Sequence, residues 1–383
     1  MKCYDSLNKR KNAIQMYLKI QTNDELFSFI DELKKHSLTW IAIDTEFHRE
    51  STYFPILSLI QLATDSQTWI IDAVSCTDLT PLKPILENKK IKKIFHAGDQ
   101  DWAILKQYTQ AVTWPFFDTQ HMAAFAKLGH SNSLESLVSK LLEIPIDKSQ
   151  QKTNWMQRPL TPNQLEYAAR DAAYVAKIYP LLDQKLIELG RDKWVAQEMK
   201  ALLKKYNDDA PPKEWLKFCS TGCKWPIPFY ALELAKWRDA WARKLDIPKR
   251  YVIADGLLEL ALRKRNITHI DKDNCSLPIL EDLILIWARL EQEYPNHKKQ
   301  RYALTQKIKI HHQEFSAIQR KALKRWQTKI KQVAKKLDLP AHCVLNKQQL
   351  HHLVYGKRRA ISGWRKDFLK KSFYQENTLN TGK

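Results

Sequence analysis

The sequence predicts a mixed α/β body followed by an all-helical half, and three observations carry that reading. Residues 40–71 contain three apolar runs joined by short punctuated connections, after which helix-like and strand-like segments alternate. Beyond Tyr206-Asn207-Asp208-Asp209-Ala210-Pro211-Pro212 every periodic stretch is helical, and one segment returns 92 positions later. The charge divides at the same place. Residues 1–200 hold 25 basic and 24 acidic side chains, residues 201–383 hold 38 and 18, and the last 83 positions alone hold 20 and 4. A chain of 383 residues is too long for one ordinary core. A neutral body joined to a strongly basic part is the pattern of a protein that handles a polyanion.

Taken in order, residues 1–16 are polar and weakly patterned and read as an extension, with Met16 as the expected start. Residues 17–20 form a short strand candidate. Leu26, Phe29, Ile30 and Leu33 recur at helical spacing behind the capping residues Thr22, Asn23 and Asp24. Strands are expected at 40–47, 56–63 and 68–71, close enough to form an antiparallel meander. Then come helix 78–86, strand 91–95, helix 99–108, strand 112–117 and helix 119–127. Two further helices follow at 133–142 and 161–189, the second opened by Thr161-Pro162. This order gives a mixed sheet with helices on its faces.

The helical half is organised by its repeat. Lys244-Leu245-Asp246-Ile247-Pro248 returns as Lys336-Leu337-Asp338-Leu339-Pro340, each copy with a helix before it and another starting near Asp255 or Asn346. Two small bundles in tandem are expected, at 213–300 and 301–375, after a linker at 206–212 and before a tail at 376–383. The second carries Lys321, Lys324, Arg325, Lys329, Lys331, Lys335, Lys336, Lys357, Arg358, Arg359, Arg365 and Lys366, interleaved with Trp326, Tyr355 and Trp364. Those aromatics read first as core. The six cysteines are scattered, and the Cys219/Cys223 spacing does not suit zinc, so reduced thiols in a cytoplasmic protein are expected. No run reaches transmembrane length.

The chemistry gathers around Trp40-Ile41-Ala42-Ile43-Asp44-Thr45-Glu46-Phe47. On a strand, alternation puts Asp44 and Glu46 on one face and Ile41 and Ile43 on the other. Two fixed like charges repel, and a divalent cation relieves them. Further acids stand in His96-Ala97-Gly98-Asp99-Gln100-Asp101, at a strand-to-helix junction where open sheets place their sites. Either Asp99 or Asp101 could face the site, and one could serve as a helix cap. Tyr167 and Asp171 are four apart and share a helix face lined with alanines small enough to lie close on a sheet.

Asp44-x-Glu46, His96-x4-Asp101 and Tyr167-x3-Asp171 resemble the three motifs of the DEDD exonuclease superfamily, in the branch with tyrosine in the third motif. The flanks 59–62, 117–120, 148–155 and 158–160 resemble the ribonuclease D family, and the two repeats are similar to HRDC domains. The resemblance spans about residues 16–375 and implies a ribonuclease H-like nuclease domain over 17–205 followed by two HRDC-like bundles. It selects Asp101 over Asp99. It implies two divalent metal ions, Mg²⁺ or Mn²⁺, with Asp44 on both, Glu46 and Asp171 on the ion carrying the attacking water, and Asp101 on the other. Oxygen ligands suit such hard cations.

The implied reaction is 3′–5′ hydrolysis of RNA ends, most readily of tRNA precursors, releasing nucleoside 5′-monophosphates. Tyr167, whose ordinary pKa of about 10 makes it a poor base, would orient the nucleophile. Phe47 could stack on a terminal base and Lys148 could meet a phosphate. Asp118 reads as a helix cap or a supporting acid. The expected partner is RNA, the expected state a monomer without a membrane. A DNA-directed exonuclease and a non-catalytic nucleic-acid-binding module are the rival readings.

Overall fold

The computed structural model describes residues 17–145, 153–207, 213–220, 222–356 and 361–369. The 1–16 extension, the Met16 start, Lys148, most of the 206–212 linker and the 376–383 tail lie outside the described residues. Strands β1 (Tyr17–Ile20), β2 (Trp40–His48), β3 (Ile56–Ala63), β4 (Thr68–Asp72), β5 (Lys92–Phe95) and β6 (Phe116–Asp118) form one sheet ordered β1-β4-β3-β2-β5-β6. The neighbours β2, β3 and β4 are antiparallel, as their short connections require. Strand β1 joins β4 in parallel, and β5 and β6 extend the sheet in parallel from β2. Helices on both faces bury Ile41, Ala42 and Ile43 of β2 almost completely.

Helix α1 (Asn23–Lys35) is closed at its start by a reciprocal Thr22–Glu25 capping box. The expected helix 78–86 is instead a turn of 3₁₀ helix (Thr80–Leu82) and a short α2 (Lys83–Leu86). Asp78 holds the chain outside the helix by accepting from the Thr80 backbone and hydroxyl, and Pro81 and Pro84 supply no N–H. After β5 comes α3 (Asp99–Thr109). The expected strand 112–117 shrinks to β6, because Pro115 has no N–H for a ladder and the Thr113 carbonyl is taken by the Trp102 indole at 3.1 Å. Helices α4 (Thr119–Phe125), α5 (Leu134–Leu142) and α6 (Pro162–Glu188) follow. A Thr161–Gln164 capping box starts α6, and its buried Ala168, Ala169, Ala172 and Ala173 let it lie close on β2 and β3. Helix α7 (Asp192–Tyr206) is an element the hydrophobic pattern did not mark; it buries little beyond Val195 and Met199.

The repeat is regular in three dimensions. Helix α8 (Ile227–Leu245) ends on Asp246, and α9 (Lys249–Val252) and α10 (Asp255–Lys264) follow. Helices α11 (Leu277–Glu293) and α12 (Lys298–His311) complete the first bundle. In the second copy α13 (Ala317–Leu337) ends on Asp338, followed by α14 (Ala341–Val344) and α15 (Lys347–Val354). Asp246 and Asp338 both adopt the left-handed conformation that ends a helix, with φ 50°. The expected division between residues 300 and 301 falls inside α12, whose Leu304 and Ile308 lie in the first bundle's core.

Both copies of this turn dock on the α/β body. Asp246 accepts from the backbone N–H groups of Tyr53 and Phe54 at 3.1 and 2.9 Å, and Asp338 pairs with Lys127 at 3.0 Å. The second bundle goes further and shares an apolar cluster with that body. Trp364 stacks on Trp194 of α7 at 4.7 Å, and Arg365 is buried, paired with Glu198 and bonded to the Cys343 and Val344 carbonyls. Trp326 and Trp364 are therefore core, and Arg365 leaves the basic surface. No described helix is long and apolar enough to cross a membrane.

Candidate active site

Asp44 and Glu46 leave β2 on the face covered by α6, and Asp171 meets them from that helix. Their carboxylate oxygens lie within 4.8 Å of one another, close enough for one metal ion. Asp101 enters from the first turn of α3, buried, and accepts from the hydroxyl of Thr45 between the two β2 acids. Asp99 faces elsewhere and accepts from Tyr206 of α7. Of the two acids, Asp101 is thus the one beside the pair. Asp118 is a cap: it receives the backbone N–H groups of Ala97, Gly98, Gln120 and His121 at 2.8–3.4 Å, pinning the turn after β5. Gly98 is required there, since a Cβ would stand 2.5 Å from that of Phe95. His96 is half-buried and bonds the Thr119 hydroxyl at 2.9 Å. Phe47 is half-buried against the core, and Lys148 lies outside the described residues.

The electrostatics show a site short of positive charge. Burial first, then the charges of Asp101 and Asp171, push Asp44 well above the usual carboxylate range. Glu46 is raised by burial and then by Asp44, Asp171 and Asp101. Burial lifts Asp101 to about 6 although the Thr45 hydrogen bond opposes it. Burial likewise lifts Asp171 to about 6 against the Tyr167 hydrogen bond and Arg170. The phenol of Tyr167 is pushed above its ordinary value by burial and by Asp171, so at neutral pH it is a donor rather than a base.

Three features carried no role in the sequence. A register shift follows Glu46: Leu59 opposes Glu46, Leu57 opposes Phe47, and Ser58 is the extra residue. Arg158 holds this bulge, bonding Ser58 at its carbonyl and hydroxyl, Asp72 through two bonds of 2.9 and 2.7 Å, and the Trp155 carbonyl at 2.9 Å. Trp155 in turn packs 6.1 Å from the Tyr167 ring. Gln61 is paired with Asp44 across β2 and β3, fully buried, with neither amide atom partnered. A polar group orphaned beside three repelling carboxylates fits a site built around divalent cations and their waters. In the sequence Gln61 stands in the 59–62 flank of the resemblance, as an amide in a largely apolar strand.

This fold and acid arrangement define the class of 3′–5′ exonuclease domains, and the family model of that description matches residues 17–187. Across the whole chain, the ribonuclease D of Desulfotalea psychrophila is 32% identical over 379 residues, 93% of this chain and 97% of that protein. The chain belongs to the ribonuclease D family. Ribonuclease D of Zymomonas mobilis is 39% identical over 223 residues, and that match spans 57% of each protein, less than two thirds of the relative. The crystal structure of Escherichia coli RNase D, described as an exoribonuclease involved in structured RNA processing, superposes with a TM-score of 0.76 at 26% identity, covering 94% of this chain and 98% of that one.

Proposed function

We propose that the protein is a metal-dependent 3′–5′ exoribonuclease that trims structured RNA, with tRNA precursors as the leading substrates. The observation that carries this reading is the convergence of Asp44, Glu46 and Asp171 within 4.8 Å, with Asp101 tied in through Thr45. Asp44, Glu46, Asp101 and Asp171 would hold two Mg²⁺ or Mn²⁺ ions, which when bound supply an activated water and charge neutralisation at the reacting phosphate. Tyr167 is protonated, and its one O–H, donated to Asp171 in the metal-free site, would turn to orient the nucleophile once a cation takes that carboxylate. By the same reading Phe47 would stack on the terminal base and Lys148 would meet its phosphate. Cytoplasmic location belongs to the same reading and agrees with the free thiols of Cys76, Cys219, Cys223, Cys275 and Cys343 among the described residues.

The RNA body would lie on the helical half. Lys321, Lys324, Arg325, Lys331 and Lys335 follow one another at helical spacing on the exposed side of α13, opposite its buried Trp326, Ile330 and Val333. Between the bundles a cavity of about 550 Å³ is lined by Lys213, Lys307 and Lys347 among others. Phosphate contacts of this kind are independent of sequence and weaken with salt. Reversing Lys324, Arg325 and Lys331 to Glu should weaken binding of a tRNA-sized RNA and flatten its salt dependence, with the turnover of a short oligonucleotide retained. Binding measured across a salt series checks this; an unchanged affinity and slope would reject the assignment. Deletion is the poorer test, because Trp364 and its neighbours belong to the core shared with the α/β body.

Substrate class is tested by a parallel assay on matched RNA and DNA strands. Preferential shortening of the RNA supports the reading, preferential shortening of DNA replaces it with a DNA-directed exonuclease, and binding without hydrolysis leaves a nucleic-acid-binding module.

A further inference from the structure

A second cluster of potential metal ligands stands where the α/β body meets the second bundle, remote in chemistry from the all-oxygen site. His130, His342 and Cys343 present ligand atoms within 4.8 Å of one another. The rings of His130 and His342 are 3.5 Å apart between centroids, and the Cys343 sulfur is 3.3 Å from Nε2 of His342. Bond lengths of zinc to imidazole and thiolate put two such ligands about 3.5 Å apart on a tetrahedron. The 3.3 Å from the Cys343 sulfur to His342 is close to one such edge. Three protein ligands leave a fourth tetrahedral position for water.

The two sides of this cluster are held independently. His130 sits in the loop between α4 and α5, flanked by Gly129 and Ser131, both with positive φ. That loop is stapled by buried Asn132, whose side chain bonds Leu128 and accepts from Lys140, while Gln120 bonds its carbonyl at 3.0 Å. On the other side, His342 and Cys343 occupy α14, whose Cys343 and Val344 carbonyls are bound by buried Arg365. The contacts of Lys127 with Asp338 and of Arg191 with the Leu337 carbonyl fix α13 beside the same loop. Each half is thus rigid before any ion arrives, which is what a bridging site needs. Nitrogen and sulfur ligands favour zinc-like ions over Mg²⁺.

We propose that His130, His342 and Cys343 bind one Zn²⁺-class ion, with water in its fourth position, that clips the second helical bundle to the α/β body. On binding, the Cys343 thiol loses its proton to solvent and the sulfur takes the metal, while the imidazoles bind through ring nitrogen lone pairs.

The test uses the full-length protein stripped of metal and titrated with CoCl₂ in excess Mg²⁺, which occupies carboxylate sites. The expected result is one tightly bound Co²⁺ per chain with a thiolate-to-cobalt charge-transfer band, displaced by Zn²⁺. Cys343→Ser should abolish the band, and exposed His130→Ala, which leaves the core untouched, should weaken binding by more than about tenfold. His130→Ala should also lose the rise in unfolding temperature that Zn²⁺ gives the wild type, with nuclease turnover in Mg²⁺ unchanged. Absence of a thiolate band in the wild type, its survival in Cys343→Ser, or full-strength binding by His130→Ala would each overturn the proposal.

Discussion

Asp44→Asn should lower the release of mononucleotides by roughly three or more orders of magnitude, the scale on which members of one catalytic unit act, while leaving RNA binding largely intact. The same substitution should make the metal-free protein more stable. Asp44 is raised by burial and by the charges of Asp101 and Asp171, so removing its own charge relieves both of those partners. The sign follows from linkage. Asp101 and Asp171 titrate at about 6 in the folded chain, against about 3.9 unfolded. Their contribution is fully present below the unfolded value and is lost as pH rises through 6. Metal-free wild type should therefore lose thermal stability between about pH 4 and pH 6, and Mg²⁺ or Mn²⁺ should restore it near neutrality. Asp44→Asn should flatten both responses. Unfolding temperatures in chelator and in Mg²⁺ across this pH range check the point; a metal-free protein equally stable at pH 4 and 7 would contradict it.

Arg158→Ala should cost both stability and activity, although Arg158 belongs to no acidic motif. Its guanidinium holds buried Asp72 through two bonds and reaches Ser58 and the Trp155 carbonyl. Removing one partner leaves a buried carboxylate uncompensated, at a cost of about 3–5 kcal/mol. It also frees the bulge that follows Glu46 and the Trp155 segment that packs on Tyr167. Arg158→Lys should recover little, because one ammonium cannot reproduce the planar fork. Chemical denaturation and steady-state kinetics on both variants check this. A fully stable Arg158→Ala protein with reduced turnover would assign Arg158 to substrate contact instead.

What the sequence disclosed depended on the range of the contacts involved. The meander, the helix carrying Tyr167 and Asp171, and both repeat turns were legible because periodicity and capping act over a few residues. The pairing of Asp44 with Glu46 on one face follows from strand alternation alone. The choice of Asp101 over Asp99 was not legible in the residues, because what separates them is Thr45 on one side and Tyr206, 107 positions away, on the other. Distance in sequence also hid the docking of the second bundle, where Trp364 and Arg365 meet Trp194 and Glu198. The short helix at 83–86 and the shortened β6 were misread for a local reason, as Pro81, Pro84 and Pro115 withhold the N–H groups that the apolar pattern presumes. Gln61 gives the least signal of all, since one buried amide looks like any other polar residue until its strand partner is known to be Asp44.

The central claim is metal-dependent removal of nucleotides from the 3′ end of RNA by the cluster around Asp44. The most direct measurement follows a structured RNA with a single-stranded 3′ tail, labelled once at the 5′ end and once at the 3′ end, incubated with wild type and with Asp101→Asn in Mg²⁺ and in chelator. The account predicts a ladder shortening from the 3′ end, nucleoside 5′-monophosphates as the released product, and no reaction in chelator or with Asp101→Asn. Internal cuts, shortening from the 5′ end, or undiminished release by Asp101→Asn would contradict it.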